Sequence, residues 1–211
     1  MKKIKHVIFD LGEVIINVNP AAVKERMIQK GAGNVDELHL KLLDGDIYHQ
    51  LETGKIKPED FRKAIKDIID IPVTDDDIDE AWNAMLLDIP RERIKFMTRL
   101  KSKYKLYLLS NTNDIHWKCY DRNFQDNYDY PSLNTFFTQT WYSYLMGVRK
   151  PDPEIFRIVL EEGQFDPSEV AFIDDLIDNV EAANTQGING IHLPPGKEIM
   201  DLFDEGLDLK F

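Results

Sequence analysis

Residues 4–12 read IKHVIFDLG, and the rest of the predicted fold follows from this stretch. An apolar run begins near Ile4 and stops at Asp10, where a loop containing a glycine follows. A short apolar run that ends in such a loop is typical of a buried strand in a parallel sheet. Three further runs have the same form, at residues 106–109, 170–173 and 190–193.

Helical patterns lie between these predicted strands. They cover residues 91–103, 113–124, 153–162 and 176–186. The third begins with Asp152 as a helix cap and Pro153 in the first turn, and Gly163 is expected to end it. Because strands and helices alternate, the sequence predicts an α/β fold with a doubly wound parallel sheet.

The segment from residue 19 to residue 88 has a different pattern. It shows no convincing strand, and its helical stretches are bounded by glycine, proline or short polar residues. The predicted helices there cover residues 21–30, 35–43, 58–69 and 75–86. We therefore predict a core domain of residues 1–18 and 89–211, and an inserted helical cap of residues 19–88 over the carboxyl edge of the sheet.

The composition excludes several classes of function. With 26 basic and 38 acidic residues the net charge is −12, which argues against a nucleic acid or an acidic membrane as partner. Cys119 is the single cysteine and suits a reducing compartment. Asp10 and Glu13 interrupt the first apolar run, unlike a signal peptide, and no stretch approaches the roughly 20 apolar residues that span a bilayer. The expected location is the cytoplasm, and the oligomeric state stays open.

Residues suited to phosphate chemistry follow three of the predicted strands. Asp10 ends the first strand, residues 110–112 (SNT) follow the second, and Asp174 and Asp175 end the third. Ligands of open α/β sheets bind beyond the carboxyl ends of the strands. A single aspartate there is more often a turn residue, but three carboxylates at one edge repel one another unless a cation is present. Mg²⁺, which binds carboxylate and phosphate oxygens, would resolve this conflict.

Two donors for phosphate oxygens are expected beside the carboxylates. Ser110 and the backbone N–H groups around it precede a predicted helix, and helix N-termini bind anions. Lys150 precedes another predicted helix. A lysine alone is usually a solvated surface charge, so Lys150 gains its significance from the neighbouring motifs.

Four segments of the chain resemble, in the expected order, the motifs of the haloacid dehalogenase (HAD) superfamily. They are residues 9–15 (FDLGEVI), 109–113 (LSNTN), 149–156 (RKPDPEIF) and 172–179 (FIDDLIDN), the last followed by 181–183 (EAA). The helical insert after the first motif is similar to the C1 cap of that superfamily. Each motif is weak alone, but four in order are improbable by chance, and the resemblance spans nearly the whole chain.

The resemblance implies a phosphatase in which Asp10 is the nucleophile. Asp10 would attack phosphorus and form an aspartyl-phosphate, which water then hydrolyses. Ser110 and Lys150 would complete the catalytic set by binding phosphate, and Lys150 would also neutralise Asp10. Asn111 would bind substrate through a donor near the leaving group.

The resemblance also implies a Mg²⁺ cofactor. Its ligands would be an oxygen of Asp10, the backbone carbonyl of Gly12, and Asp175. Asp174 would be a further ligand, either directly or through a water molecule. Asn179 would support these ligands.

Position 12 departs from the pattern of most phosphatases in this superfamily. They carry a second aspartate two residues after the nucleophile, which serves as general acid and base, and this chain has Gly12 there. General acid–base catalysis contributes about 10²–10⁴-fold, so turnover is expected to fall while the carbonyl for the metal remains. Glu13 is adjacent, but it is not expected to replace the missing aspartate.

The Asp-Leu-Gly sequence at residues 10–12 also occurs in a subgroup that includes a bacterial α-D-glucose-1-phosphate phosphatase. The resemblance to this subgroup extends to residues 110–113, to His116 and to cap residues 48–54 (YHQLETG). An anomeric phosphate has a comparatively acidic leaving alcohol, which depends less on a general acid. The predicted substrate is therefore a small phosphorylated metabolite, with a sugar 1-phosphate as the first candidate.

Two other functions stay open from the sequence. A non-catalytic protein that binds phosphate ligands or regulates through them would explain Gly12 as lost catalysis. A 2-haloacid dehalogenase would use Asp10 to attack carbon without a metal. That reaction would leave Asp174 and Asp175 without a role.

Overall fold

The computed structural model describes residues 3–36, 38, 40 and 46–210, and its centre is a five-stranded parallel sheet. The spatial order of the strands is β3-β2-β1-β4-β5. Their bounds are β1 (His6–Phe9), β2 (Lys105–Ser110), β3 (Gln139–Tyr142), β4 (Val170–Asp174) and β5 (Asn189–His192). β1 pairs with β2 on one side and with β4 on the other, so the strand order reverses at β1. The predicted doubly wound parallel sheet is confirmed.

Helices connect the strands and form the segment between β1 and β2. Their bounds are α1 (Ala21–Gln29), α2 (Ile47–Glu52), α3 (Pro58–Ile68), α4 (Asp75–Asn83), α5 (Arg91–Leu100), α6 (Asp114–Asn127), α7 (Ser143–Met146), α8 (Pro153–Gly163) and α9 (Ile177–Thr185). Of the helix predicted over residues 35–43, positions 37, 39 and 41–43 lie outside the described residues. Within the described ranges, no helix has the length and apolar character needed to cross a bilayer.

The two faces of the sheet are covered by different helices, because side chains alternate along each strand. Phe9 packs on one face in a cluster with Phe96 of α5 and Phe124 of α6. Its neighbour Ile8 packs on the opposite face with Phe156 of α8. Since both faces are buried, the central strands are apolar at successive positions rather than at alternate ones.

Three short elements, β3, α7 and α2, are absent from the sequence prediction. β3 and α7 have four residues each, and α2 has six. Gln139 and Thr140 of the edge strand β3 are only half-buried. β1 and β5 are as short as β3, but they belong to apolar runs, whereas β3 (QTWY) begins with two polar residues and gives no such signal.

The end of α8 lies at the predicted glycine. The helix continues through Gly163, and Gln164 adopts the left-handed conformation with φ 51°. The predicted end of the helix at Gly163 is confirmed, and the residue in the left-handed conformation is the one that follows it. Glycine is needed there for space, because a Cβ atom on Gly163 would lie 2.1 Å from the ring of Phe165.

Helices α1–α4 surround a hydrophobic cluster of their own. Met27 of α1, Phe61 of α3 and Ile78 of α4 are buried in it. Ile115 of α6 also belongs to this cluster, so the cap segment packs against the start of α6.

The chain enters and leaves this helical segment through two paired stretches. The N–H of Asn17 donates to the carbonyl of Asp88, and the N–H of Leu87 donates to the carbonyl of Asn17, both at 2.9 Å. Val18 and Leu86 form an antiparallel bridge between them. These crossings lie close to the predicted domain boundaries of residues 1–18, 19–88 and 89–211, which stay a prediction.

Candidate active site

The carboxyl ends of β1 and β4 bring two of the predicted site residues together. Phe9 lies opposite Ile173 in the parallel register, so Asp10 and Asp174 come next on neighbouring strands. The Asp10 N–H donates to the carbonyl of Ile173 at 2.9 Å, which continues the ladder by one residue. The strand order reverses at β1, and ligands of open α/β sheets bind at such a reversal.

Lys150 is the charge partner of these aspartates. Its ammonium donates to Asp10 Oδ1 at 2.6 Å, to Asp174 Oδ2 at 2.7 Å and to the carbonyl of Leu109 at 3.0 Å. The side chains of Lys150 and Asp174 are 1% and 0% exposed. An ammonium group has three donors, so Lys150 is fully hydrogen-bonded although it is buried. We call Asp10, Lys150, Asp174 and Asp175 the strand-end cluster.

Asp174 is held from its other side by the start of α9. Its Oδ1 accepts a hydrogen bond from the N–H of Leu176 at 2.8 Å. The side-chain amide of Asn179 donates to both carboxylate oxygens at 3.0 Å. Asn179 is thus in contact with a predicted metal ligand, in keeping with its expected supporting role.

The strand-end cluster has three carboxylates and a single ammonium group. Burial raises the pKa of Asp10 to about 7, with Lys150 opposing this shift and Asp174 adding to it. Burial and the charge of Asp174 raise the pKa of Asp175 to about 6. Burial acts to lower the pKa of Lys150, but the charges of Asp10 and Asp174 outweigh it and raise that pKa. A further cation would relieve the repulsion among the carboxylates.

The oxygen donors of this cluster fit a magnesium ion. One carboxylate oxygen from each of Asp10, Asp174 and Asp175 lies within 4.8 Å of the others. Mg²⁺ prefers one or two carboxylates together with water and substrate phosphate. The carbonyl of Gly12 accepts a hydrogen bond from the N–H of Val14 at 2.6 Å, and its second lone pair remains for a metal.

Ser110 and Asn111 occupy different places at the end of β2. Ser110 is buried and lines the same cavity as Asp10. Asn111 also lines the cavity, but both ends of its amide bind the backbone of Lys150: Nδ2 donates to the carbonyl and Oδ1 accepts from the N–H, each at 2.9 Å. Asn111 therefore fixes the backbone of Lys150, from which the side chain with the ammonium extends. Its role as a donor near the leaving group stays a prediction.

Comparison with known proteins shows the family. A profile of the haloacid dehalogenase-like hydrolases matches residues 4–187. The chain belongs to this family. This HAD-like hydrolase is 28% identical over 186 residues to a D-ribitol-5-phosphate phosphatase of Bacteroides thetaiotaomicron, covering 87% of this chain and 89% of the relative. It is 27% identical over 192 residues to a sesquiterpene phosphatase of Aspergillus oryzae, covering 90% and 89%.

Solved structures of a HAD family enzyme from Bacteroides thetaiotaomicron are similar to this hydrolase throughout. One has a TM-score of 0.91 at 37% identity and covers 97% of this chain and 100% of the other. The wild-type enzyme in complex with magnesium and inorganic phosphate has a TM-score of 0.87 at 39% identity, covering 95% and 100%. The likeness extends over the sheet and the inserted helices.

The cavity of this HAD-like hydrolase continues from the strand-end cluster to residues that the sequence pattern does not single out. Its volume is about 270 Å³, and it is lined by Asp10 and Lys150 and, beyond them, by Tyr48, Glu52 and Arg149. From the sequence, residues 48–54 are noted only for their resemblance to a subgroup of the superfamily. Arg149 is noted only as part of the motif that contains Lys150. A single sequence carries no signal from which a contact between α2 and position 149 could be predicted.

Tyr48, Glu52 and Arg149, which we call the Glu52 cluster, contain a closely spaced but poorly aligned ion pair. Glu52 Oε2 lies 2.8 Å from Arg149 Nε, and the Glu52 side chain is 3% exposed. Both atoms are inaccessible to solvent, and each is the other's partner in this ion pair. Burial raises the pKa of Glu52, opposed by a hydrogen bond from Tyr48 and the charge of Arg149.

The turn after α2 brings Glu52 against the core. Gly54 has φ 64°, and a Cβ atom there would lie 2.2 Å from the carbonyl oxygen of Tyr144 in α7. A side chain at this position would separate the two backbones. Glycine at position 54 therefore permits the close contact that places Glu52 beside Arg149.

Gly12 has no side-chain carboxylate, and Glu13 directs one of its carboxylate oxygens to the chain at Val18. Gly12 is not among the residues with positive φ, and a Cβ atom there would have 3.9 Å to its nearest neighbours. Glu13 has φ 55°, and its Oε1 accepts a hydrogen bond from the N–H of Val18 at 2.8 Å. The carboxylate of Glu13 is therefore engaged with the chain that leads into the cap.

His116 joins α6 to the helical segment above the sheet. Its ring is stacked on Trp82 of α4, with centroids 5.1 Å apart. Asn113 Nδ2 donates to Nδ1 of His116, and Nε2 donates to the carbonyl of Trp82, both at 3.2 Å. Burial lowers the pKa of His116 to about 4, so the ring is neutral at pH 7. With both ring nitrogens engaged, His116 has a packing role at the cavity wall.

Proposed function

We propose that this hydrolase is a Mg²⁺-dependent phosphomonoesterase that forms an aspartyl-phosphate on Asp10. The observation that carries the proposal is the strand-end cluster. Asp10 Oδ1 lies 2.6 Å from the Lys150 ammonium. One carboxylate oxygen from each of Asp10, Asp174 and Asp175 lies within 4.8 Å of the others. The phosphatase names of two relatives, and the magnesium and phosphate bound to a similar enzyme, support the same activity.

The residues of the cluster have separate tasks in this reaction. Asp10 attacks phosphorus, and the bond from phosphorus to the leaving oxygen breaks as the bond to Asp10 forms. Water then attacks the aspartyl-phosphate, releasing phosphate and restoring Asp10. Ser110 binds a phosphoryl oxygen, and Lys150 binds another by exchanging one of its three present acceptors for it, while Asp174 keeps the ammonium in place. Bound Mg²⁺, held by Asp10, Asp175, Asp174 and the Gly12 carbonyl, would supply the positive charge that phosphoryl transfer needs.

The substrate is proposed to be a small phosphate ester. The sugar 1-phosphate suggested by Gly12 stays a prediction. The two relatives are named for unlike substrates, since ribitol 5-phosphate carries several hydroxyl groups and a sesquiterpene phosphate has an apolar chain. We further propose that the protein acts in the cytoplasm without a nucleic acid or membrane partner, on the basis of its net charge of −12 and its single cysteine.

The test is hydrolysis of p-nitrophenyl phosphate by the purified protein, with Mg²⁺ and again after EDTA. We expect turnover with Mg²⁺, none in EDTA, and recovery when Mg²⁺ is added back. Full activity in EDTA would contradict the metal dependence.

Gly12 favours one alternative, a protein that binds phosphate ligands without turnover. Phosphate binding by calorimetry, with no hydrolysis of any ester in a screen of sugar, nucleotide and organic-acid phosphates, would establish it. Halide release from 2-chloropropionate in EDTA would instead establish a dehalogenase.

A further inference from the structure

The turn that follows β1, residues 11–16, is a compact unit held by its own backbone, and we call it the β1 turn. The carbonyl of Leu11 accepts hydrogen bonds from the N–H groups of Ile15 and Ile16, at 2.8 and 2.9 Å. Two acceptances by one carbonyl close the turn on itself. Because Gly12 lies within this hydrogen-bonded unit, its carbonyl moves with the turn as a whole.

Arg93 of α5 holds the β1 turn from the core side. Its Nη1 donates to the carbonyl of Ile15 at 3.2 Å, in a buried contact. The Arg93 side chain is 5% exposed, so its charge needs a partner. Glu198 is that partner: Nε of Arg93 donates to Oε2 at 2.7 Å, and Nη2 donates to Oε1 at 3.1 Å. Two parallel bonds fix the plane of the guanidinium group, and with it the direction of the third donor, toward Ile15.

Glu198 belongs to the segment that follows β5, which packs on the same side of the sheet as the β1 turn. Ile199 and Phe203 of this segment are buried in one hydrophobic cluster with Ile15. The segment lies beyond residue 187, where the match to the family profile ends. Glu198 therefore ties a part of the chain outside the family profile to the turn beside the nucleophile.

Stability alone gives little reason for a buried arginine at position 93. Replacing a buried ion pair by apolar side chains of similar volume often costs no stability. An apolar side chain could fill the space beside the turn, but it could not donate to the carbonyl of Ile15. The function that requires an arginine is therefore the hydrogen bond that fixes the β1 turn.

We propose that Arg93 and Glu198 are positioning residues for the metal site, because they fix the β1 turn that carries the Gly12 carbonyl. This role rests on the proposed phosphomonoesterase activity and its Mg²⁺ site. Mg²⁺ demands near-ideal octahedral geometry, so a displaced carbonyl ligand weakens its binding. Residues that orient metal ligands typically contribute about 10–100-fold to metal affinity or activity.

The experiment measures Mg²⁺ binding to the metal-free protein by calorimetry in the presence of inorganic phosphate. Arg93→Met keeps most of the length of the side chain and removes its charge and its donors, and we expect it to raise the Mg²⁺ dissociation constant about tenfold or more. Arg93→Lys retains a charged donor and should bind Mg²⁺ more tightly than Arg93→Met. Glu198→Gln keeps the size of the partner and should weaken Mg²⁺ binding less than Arg93→Met.

Kinetics with p-nitrophenyl phosphate give a second measurement. At saturating Mg²⁺ we expect Arg93→Met to lower kcat and to leave KM close to the wild-type value, because Ser110 and Lys150 bind phosphate and neither is on the β1 turn. A general loss of structure would instead change both constants and the thermal midpoint together.

Arg62→Met is the matched control. Arg62 of α3 donates from Nε and Nη2 to the two carboxylate oxygens of Asp79 in α4, at 2.8 and 2.7 Å, so it makes the same two-bond ion pair within the inserted helices. Its loss should leave the Mg²⁺ dissociation constant unchanged, whatever its effect on the thermal midpoint.

The outcomes separate the positioning role from the activity on which it rests. Wild-type Mg²⁺ binding by folded Arg93→Met would overturn the role of Arg93. If Arg93→Met does not fold, wild-type Mg²⁺ binding by Glu198→Gln would overturn it, and so would an equal loss of Mg²⁺ binding in Arg62→Met. A wild-type protein that neither binds Mg²⁺ nor hydrolyses p-nitrophenyl phosphate would overturn the proposed function itself, and the positioning role with it.

Discussion

Lys150 and Arg149 are adjacent in the chain, but their charges are paired in different ways at the two ends of one cavity. The Lys150 ammonium has three acceptors at 2.6–3.0 Å and is 1% exposed. The Arg149 side chain is 28% exposed and faces Glu52 without hydrogen-bond alignment. The Lys150 ammonium is therefore shared between two carboxylates and a carbonyl, whereas Arg149 has the single carboxylate of Glu52 as its ion-pair partner.

The difference follows from the elements that carry each cluster. Asp10 and Asp174 end neighbouring strands whose register is set by backbone hydrogen bonds along the whole ladder. Glu52 ends a six-residue helix of the inserted segment, and it reaches the core through a turn. The positions of Asp10 and Asp174 are thus fixed by the sheet, whereas the position of Glu52 depends on how the inserted helices pack on the core.

Asp10→Asn tests the strand-end cluster most severely. The amide has nearly the same shape but is not a nucleophile, so we expect kcat to fall about 10⁴-fold or more for every phosphate ester. The measurement is turnover of p-nitrophenyl phosphate at saturating Mg²⁺, together with the thermal midpoint. Asp126→Asn, at an exposed position of α6, is the control and should retain activity. Retention of more than about a few per cent of turnover in Asp10→Asn would exclude the covalent mechanism.

Asp174→Asn and Asp175→Asn compare the roles of the two aspartates in the strand-end cluster. Asp174 already accepts hydrogen bonds from Lys150, Leu176 and Asn179, whereas Asp175 is half-buried and less committed to protein donors. We expect Asp175→Asn to lose Mg²⁺-dependent activity more completely. Only Asp174→Asn should also destabilise the fold, by up to about 3–5 kcal/mol, because a buried ammonium loses one of its partners.

The two variants are compared by Mg²⁺ titration of activity and by urea unfolding of the metal-free proteins. Equal loss of activity in both would contradict the ranking of the two ligands. Unchanged stability of Asp174→Asn would show that Asp10 and Leu109 alone satisfy Lys150.

Gly12→Asp tests whether the missing carboxylate limits the strand-end cluster. Since Gly12 does not have a positive φ and a Cβ there meets its neighbours at 3.9 Å, an aspartate fits without strain. We expect wild-type kcat/KM to depend steeply on the leaving-group pKa. The variant should be faster by up to about 10²-fold on alkyl phosphates and little changed on aryl phosphates. Gly12→Asn, which has the same size and no proton to give, is the control.

A flat dependence on leaving-group pKa in the wild-type protein would mean that another group supplies the proton. Position 12 would then not limit catalysis.

Substitution of His116 tests the packing contact between the core and the inserted helices. The pKa of His116 is about 4, below the ordinary value of 6.5. Between these values the unfolded chain binds a proton that the folded protein does not, so stability falls as the pH falls through this range. Relative to His116→Gln, the wild-type protein should lose about 2 kcal/mol of unfolding free energy between pH 7 and pH 5.

This loss is measured by urea unfolding of the metal-free proteins at both pH values. Asp10 and Asp175 have raised pKa values and act in the opposite direction, but they are common to both proteins and cancel in the difference. His49→Gln, at an exposed position of the cap segment, is the matched control and should follow the wild-type protein. Parallel curves for His116→Gln and the wild-type protein would show that the buried ring is protonated without cost.

Much of the fold and of the strand-end cluster could be predicted because its signals are local. Apolar runs that stop at Asp10, Ser110 and Asp174 mark strands buried on both faces, and helices between them imply a parallel sheet. Parallel strands place their carboxyl ends at one edge, so residues far apart in sequence could be assigned to one site. The role of Lys150 came from the resemblance of its motif, since no local pattern distinguishes a buried lysine from an exposed one.

The tertiary structure alone decided how the remaining residues meet. The edge strand β3 and the short helix α2 are stabilised by the neighbours they pair with or pack on, so periodicity in their few residues does not reveal them. The backbone contact of Gly54 with Tyr144, which sets Glu52 beside Arg149, joins positions 90 residues apart. The ammonium at Lys150 and its predicted chemistry were therefore accessible from the sequence. The wall that the inserted helices add to the cavity was not, because contacts between inserted helices and core loops depend on three-dimensional packing.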